Sequence, residues 1–136
     1  MSEANQQAQQ SVDILALRQS QAGMRYIAQM HIYNTGNMDR LLTFITDSYQ
    51  ENLLAQTHAE ERLGAFLAQV DLIGKVKVKQ VLAANEYHVA VVMEAEKVAG
   101  FFYVEAKVEE DYPHKISHYM FQPMQPVNTS QSEADQ

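Results

Sequence analysis

The second half of the chain holds the residues that decide the fold: 75–83 reads KVKVKQVLA, 87–96 reads YHVAVVMEAE and 100–110 reads GFFYVEAKVEE. Apolar and polar residues alternate over much of these stretches, which is the pattern of strands with one buried face. Asn85 lies at a turn signal after the first stretch, and Gly100 closes the next turn. With a further stretch over Ile116–Met124, the pattern predicts an antiparallel meander joined by short loops.

The residues before these strands have the spacing of helices. We predict a long first helix over Val12–Asn34, capped by Ser11, and a short second helix capped by Asn37. A third, amphipathic helix is predicted behind Thr57, which has capping-box spacing with the glutamate three residues later. The segment Tyr49–Leu54 is predicted as a short strand. Helices followed by strands indicate an α+β domain with the helices on one face of the sheet.

Size and composition favour one globular domain. The chain has 136 residues, of which 46% are hydrophobic and 20% charged, an ordinary globular balance. We place the domain at 11–124 and expect disordered tails at 1–10 and 125–136, which are rich in Gln, Ser, Asn and Asp. No run of ~18 apolar residues exists, and the first ten residues lack the basic and apolar regions of a secretory signal. We therefore expect no membrane partner.

Charge and cysteine content exclude further classes of protein. The formal net charge is -7, and Lys75, Lys77 and Lys79 form the only basic cluster, so we expect no nucleic-acid partner. These lysines suit a sheet edge that resists aggregation, and a site for an anionic ligand is the alternative. The chain has no cysteine, which excludes disulfides and thiolate zinc sites and fits a cytoplasmic protein.

The end of the predicted first helix resembles a known superfamily. Residues 33–39, YNTGNMD, and 41–48, LLTFITDS, resemble the opening of nuclear-transport-factor-2-like domains. The resemblance covers residues 12–124 through the order and length of the elements. It implies a cone-shaped fold in which three N-terminal helices pack on a curved, mostly antiparallel sheet. It also implies a pocket at the open end of the cone, as in SnoaL-like cyclases and ketosteroid isomerases.

A narrower resemblance concerns two other segments. Residues 59–69, AEERLGAFLAQ, and 110–126, EDYPHKISHYMFQPMQP, look like the domains of this type that are attached to β-lactamase-type serine hydrolases. In those proteins the catalytic serine lies in another domain. The resemblance therefore implies an accessory or binding role.

Alignment with the ketosteroid isomerases implies that their chemistry is absent from this chain. The general-base aspartate of the family falls on Leu53, its oxyanion-hole aspartate on Ala106, and its oxyanion-hole tyrosine on Gln29. Leucine and alanine can neither move a proton nor donate a hydrogen bond to an enolate oxygen. We therefore predict a non-catalytic module that binds a small apolar molecule or serves as an accessory domain.

An enzyme is the alternative that the residues leave open. It would belong to the isomerase, dehydratase or polyketide-cyclase type and would use Tyr33, Tyr119 or a relocated Glu51 for acid–base chemistry. We expect no cofactor for either function.

Strand alternation and the resemblance together predict a ligand pocket on the inner face of the sheet. One face of the predicted strands is almost wholly apolar and must lie under the helices. The resemblance implies a pocket there, whereas composition alone is equally satisfied by side chains that fill a core. The predicted pocket residues are Tyr26, Gln29, Tyr33, Met93, Phe102, Val104, Ala106, Tyr119 and Phe121.

The opposite face of the predicted sheet is too apolar to be left wholly to water. It carries Val92, Phe101, Tyr103, Ile116 and Met120. A second copy of the chain can cover such a face through a two-fold contact. We therefore predict a homodimer that pairs through this outer face.

Histidines offer one further candidate site. His114 and His118 are separated by ~13 Å in an extended chain, too far to bind one metal ion, so we expect no metal site. His88 and His118 are the best pair, because both fall on the outer face beside Glu94 or Glu105. Imidazoles can carry protons near neutral pH. The alternative is that the two histidines lie in solvent or at a subunit interface.

Overall fold

A computed structural model describes residues 14–124. It consists of helices followed by strands, which confirms the α+β class. Five helical segments precede the strands in this part of the chain: α1 (residues 14–19), α2 (Gln21–Thr35), α3 (Met38–Ser48), α4 (Glu51–Gln56) and α5 (Ala59–Ile73). Four strands follow: β1 (Val76–Asn85), β2 (His88–Ala95), β3 (Phe101–Val108) and β4 (Ile116–Pro123). The predicted tails, and the predicted start of the first helix, lie outside the described residues.

The four strands form an antiparallel meander with the order β1-β2-β3-β4, as the alternation predicts. β1 has two register irregularities against β2, one between Val78 and Gln80 and one between Val81 and Ala83. Such bulges increase the twist of a sheet and re-aim its side chains. The edge strand β1 is therefore more strongly twisted than its alternating sequence alone suggests.

The first helix is interrupted at Ser20, which corrects the prediction of one long rod. Ser20 has extended backbone angles of φ -101° and ψ 153°, and its Oγ accepts a hydrogen bond from the backbone N–H of Gly23 at 2.8 Å. A serine in this position ends the preceding helix and caps the next one. Gly23 allows the close approach of the two helices, because a Cβ there would lie 1.8 Å from the carbonyl oxygen of Leu17.

The segment after α3 is helical, so the prediction of a strand over Tyr49–Leu54 is wrong beyond its first residue. Tyr49 forms an isolated parallel bridge with Ile116, and the N–H of Gln50 donates to the Ile116 carbonyl at 2.8 Å. α4 then begins at Glu51, whose carboxylate suits the positive end of a helix. The cap of α5 is His58, one residue after the predicted Thr57, and Glu61 Oε1 accepts from its N–H at 3.1 Å.

A bulge in β4 reverses the predicted orientation of Ile116. Val108 is opposite Ile116 and Lys107 is opposite His118, so Ser117 is an additional residue in β4. Ile116 consequently points inward and is 1% exposed, whereas the sequence placed it on the outer face. Residues farther along β4 keep their predicted faces, since Tyr119 is opposite Ala106 on the inner face and Met120 is opposite Glu105 on the outer face.

The core lies between the helices and the inner face of the sheet. Alternation along β2 and β3 predicts this face correctly, because its apolar residues are buried with the apolar residues of α2 and α3. The buried sheet residues include Val89, Val91, Met93, Phe102, Val104, Ala106 and Val108. Asn37 caps α3 as predicted, with its Oδ1 accepting from the N–H of Arg40 at 3.0 Å.

Candidate functional site

Inside the fold, tyrosine side chains from three elements meet around one amide. Tyr26, Gln29 and Tyr33 follow one another at helical spacing on the buried face of α2. Tyr49 comes from the C-terminal cap of α3, and Tyr119 comes from the inner face of β4. We refer to Tyr26, Gln29, Tyr49 and Tyr119 as the interior tyrosine cluster.

Hydrogen bonds and one aromatic contact hold these side chains in place. The Tyr49 hydroxyl donates to Gln29 Oε1 at 2.6 Å. The guanidinium of Arg62 lies over the Tyr49 ring, with its Cζ 5.3 Å from the ring centroid, which is within the range of a cation–π contact. Nearby, the Tyr33 hydroxyl donates to the carbonyl oxygen of Gly74 at 2.8 Å. The phenol groups of Tyr33 and Tyr49 are therefore anchored.

Burial makes the phenols of this cluster very weak acids. Burial raises the pKa of Tyr26, Tyr49 and Tyr119, because the phenolate form would lose its hydration. The neighbouring phenols add to the increase for Tyr26 and Tyr119. The charge of Arg62 and the Gln29 amide offset only part of the increase in the pKa of Tyr49. The cluster can therefore donate and accept hydrogen bonds, but it does not release protons near neutral pH.

The space beside the cluster has a volume of about 10 Å³. This is about the volume that one water molecule requires. Five of the predicted pocket residues line it: Tyr26, Gln29, Tyr33, Tyr119 and Phe121. The other four, Met93, Phe102, Val104 and Ala106, are buried in the core beneath the helices. The structure also brings in Met30, Phe66, Gln69 and Val76, which the sequence did not single out.

No carboxylate or imidazole is among the residues that line this small cavity. Its polar groups are phenols and amides, which do not ionise near neutral pH. Leu53 packs against the core and Glu51 is exposed on α4, and neither lines the cavity. The chemistry that this arrangement provides is hydrogen bonding inside an apolar wall.

Tyr49 is a member of the cluster that the sequence prediction missed. The sequence predicts a strand at this residue, which gives its side chain no predicted partner in the interior. Its position depends on the turn between α3 and α4 and on the bridge to Ile116. No local pattern in the sequence indicates this long-range contact.

The outer face of the sheet holds a second group of polar side chains, which we call the histidine–glutamate cluster. His88 Nε2 lies 2.7 Å from Glu105 Oε2, and His118 Nε2 lies 3.2 Å from Glu105 Oε1. The three side chains come from β2, β3 and β4 and are only partly exposed, by 32%, 21% and 42% in the order His88, Glu105, His118. The hydrogen bonds from His88 and then His118 hold the pKa of Glu105 below its usual value, despite partial burial.

The two histidines are therefore neighbours on one sheet face, as predicted, and Glu105 is the carboxylate that joins them. Glu94 instead lies near Lys77 and Lys79, with nitrogen–oxygen distances of 3.9 Å and 3.8 Å. Lys107 stands between the two histidines, because it is opposite His88 on β2 and opposite His118 on β4. Lys107 is not among the residues that the sequence predicts for a site.

Apolar side chains fill much of the same outer face. Next to the row that holds Lys107, Ala90 and Met120 flank Glu105. In the following row Val92 is opposite Tyr103, and in the last row Phe101 is 43% exposed. The outer face thus has apolar rows in its middle, with the histidine–glutamate cluster at one end and Glu94 beside Lys77 and Lys79 at the other.

An open groove of about 620 Å³ continues this face at its other end. It lies between the start of β1, the end of β2 and the turn before β3. Its lining includes Lys75, Lys77, Glu94, Glu96, Val98 and Phe101. The balanced charges of this lining select neither an anionic nor a cationic ligand.

Across residues 14–124, no group of three His, Asp or Glu side chains has the spacing of a metal site. None of the helices in that same range is both long enough and apolar enough to cross a membrane. Comparison of the chain with protein-family models, with curated proteins and with solved structures gives no match in any of the three.

Proposed function

We propose that the chain is a non-catalytic module that pairs with a second copy of itself through the outer face of its sheet. The observation that carries the proposal is the contrast between the two faces. The inner face is covered by helices and leaves about 10 Å³ beside the tyrosine cluster. The outer face carries Val92 and Tyr103 in one row, with Val92 7% exposed, and Phe101 in the last row, which is 43% exposed. A contiguous apolar face of this kind is typical of interaction sites.

The dimensions of the face suit a second copy. Four strands spaced ~4.8 Å apart, taken over the eight residues of β2 at ~3.4 Å each, give a projected area of roughly 500 Å². Side-chain relief increases this area toward the ~800 Å² per partner that is usual in stable complexes. The face also contains small residues, Ala83 and Ala90, which allow close approach of another sheet.

Sedimentation equilibrium at micromolar concentration tests the proposal. We expect about twice the chain mass of 15.4 kDa. Met120→Glu should favour the monomer, because a charge would enter the apolar contact. Leu72→Glu is the matched control, since Leu72 is 70% exposed on α5 and lies away from the sheet face. A wild-type chain that stays monomeric while folded would refute the proposal.

A small apolar ligand in the interior is a second candidate function. It is supported by the convergence of phenols and an amide on a small cavity whose other walls are apolar. Ligand entry would require the cavity to expand beyond about 10 Å³. As part of the same proposal, we assign the chain to the nuclear-transport-factor-2-like domains, including those attached to serine hydrolases. The same proposal includes a cytoplasmic location, which the absence of cysteine favours.

Fluorescence titration with 1-aminoanthracene, a flat uncharged probe, tests interior binding. Phe121→Ala should enlarge the cavity and tighten a saturable one-to-one binding. Phe101→Ala is the control on the outer face and should leave interior binding unchanged. Binding that is lost in Phe101→Ala and unaffected by Phe121→Ala would place the probe on the outer face of the sheet and refute interior binding.

A steroid assay tests the absence of isomerase chemistry. We expect no turnover of a Δ5-3-ketosteroid above a heat-inactivated control, because Gln29, Leu53 and Ala106 offer no base and no acidic oxyanion donor. Turnover well above that control would support the enzyme alternative.

A further inference from the structure

We propose that His88, Glu105 and His118 make the self-association of the chain sensitive to pH, with acid favouring the monomer. The inference rests on the proposed pairing through the outer face. It starts from the position of the histidine–glutamate cluster, which lies within the surface that the second copy would cover.

The cluster is built so that its charge changes while its carboxylate stays ionised. Each carboxylate oxygen of Glu105 faces one imidazole, at 2.7 Å for His88 and 3.2 Å for His118. Both imidazoles flank Lys107 across the strands. With neutral imidazoles, the charges of Glu105 and Lys107 cancel. With both imidazoles protonated, the same four side chains carry two net positive charges.

Protein imidazoles generally take up their proton between about pH 8 and about pH 5. Other charged groups also lie on this face and in its turns. Lys77, Lys79 and Glu94 lie at the opposite end of the face, and Glu86 lies in the turn between β1 and β2. The turn between β2 and β3 holds Glu96 and Lys97, and the turn between β3 and β4 holds Glu109, Glu110, Asp111 and Lys115. The neighbour of His88 on β1 is Asn85, which does not titrate. His88 and His118 are the imidazoles on the face itself, whereas His114 lies in the turn between β3 and β4 and stacks on Tyr87.

A two-fold contact makes the effect of these charges cumulative. Such a contact uses the same patch on both copies, so each copy contributes the same positive charge to one shared interface. Like charges inside an interface oppose association, and their repulsion is strongest where water is excluded. We expect the dissociation constant of the dimer to increase by at least about tenfold between about pH 8 and about pH 5.

Sedimentation equilibrium of the full chain across this pH range measures the effect, with circular dichroism at each pH to verify that the chain is folded. The variant His88→Gln/His118→Gln keeps side chains that can donate to Glu105 but do not titrate. It should remain dimeric with a dissociation constant that changes less than about threefold over the same range. The matched control is His31→Gln, an exposed residue on α2, which should keep the pH dependence of the wild type.

The outcomes separate this inference from the proposed function. A dimer at about pH 8 whose dissociation constant is constant or decreases in acid would overturn the inference and leave the dimer intact. A double variant that keeps the wild-type pH dependence would overturn it as well. A folded monomer at every pH would overturn both proposals. A tenfold acid weakening that the double variant abolishes, and that His31→Gln retains, supports the inference.

Discussion

Replacing Tyr49 with phenylalanine tests whether the hydrogen bond to Gln29 stabilises the interior of the fold. The change removes only the hydroxyl, which donates to Gln29 Oε1 at 2.6 Å. Both residues are buried, with 1% and 2% of their surfaces exposed, so water cannot readily replace the lost donor. The Gln29 oxygen is then left without this partner in an apolar interior.

The expected cost follows from that unpaired acceptor. Leaving a buried polar group without a partner costs about 1–3 kcal/mol of the free energy of unfolding. For a chain of this size, about 2 kcal/mol corresponds to a decrease in Tm of roughly 6–10 °C. Gln29→Leu should cost a similar amount, because it leaves the Tyr49 hydroxyl unpaired. The double variant should cost about 1–2 kcal/mol less than the sum, since removing both partners leaves neither one unsatisfied.

Urea unfolding of the four proteins in this cycle measures the coupling. Tyr112→Phe is the control, because Tyr112 is 88% exposed and its variant should stay within about 0.5 kcal/mol of the wild type. The cycle contradicts the hydrogen-bond account if the two single changes add without coupling. A single Tyr49→Phe change that costs nothing would do the same.

Three further outcomes are expected. Val104→Asp should cost more than about 4 kcal/mol of the free energy of unfolding or prevent folding, because it buries an unpaired carboxylate on the inner face. Glu105→Ala, on the outer face, should cost at most about 1 kcal/mol. The reverse order of the two variants in urea unfolding would show that the strand register is wrong. Gly23→Ala should cost about 1–3 kcal/mol by the same measurement, because its Cβ would meet the Leu17 carbonyl, and an unchanged stability would show that the two helices can separate freely. Burial raises the pKa of the three tyrosines of the interior cluster. The stability that these tyrosines contribute is therefore complete below about pH 10 and is lost as the pH rises above that value. In an alkaline titration, tyrosinate absorbance that develops fully while the chain is still folded would contradict this.

Strand alternation and turn residues predict the sheet because both signals are local. KVKVK and its neighbours specify which side chains alternate, and short loops leave the meander as the simplest connection. The prediction of Asn37 as the cap of α3 is confirmed for the same reason, because its side chain accepts a hydrogen bond from a backbone N–H only three residues away. Pairing His88 and His118 also required nothing beyond counting residues along neighbouring strands.

The errors arise where a local pattern competes with a long-range contact. Ser20 lies within a continuous apolar periodicity, and the break there depends on the backbone approach between Gly23 and Leu17. One additional residue, Ser117, turns Ile116 inward, and bulges have no reliable sequence signal. The small volume beside the tyrosines could not be predicted either, because it depends on how closely side chains from four elements pack.

The side chain of Asn34 has a consequence for how copies of this sheet can meet. Its amide donates to the Val76 carbonyl at 2.8 Å and accepts from the Val76 N–H at 2.9 Å, as another strand would. At the opposite edge, Gln50 donates its N–H to the carbonyl of Ile116. Each outer strand therefore begins with a backbone group that is already bonded, and the bulges and lysines of β1 further hinder strand addition. Growth of the sheet into a fibril from the β1 edge is discouraged at its first residue.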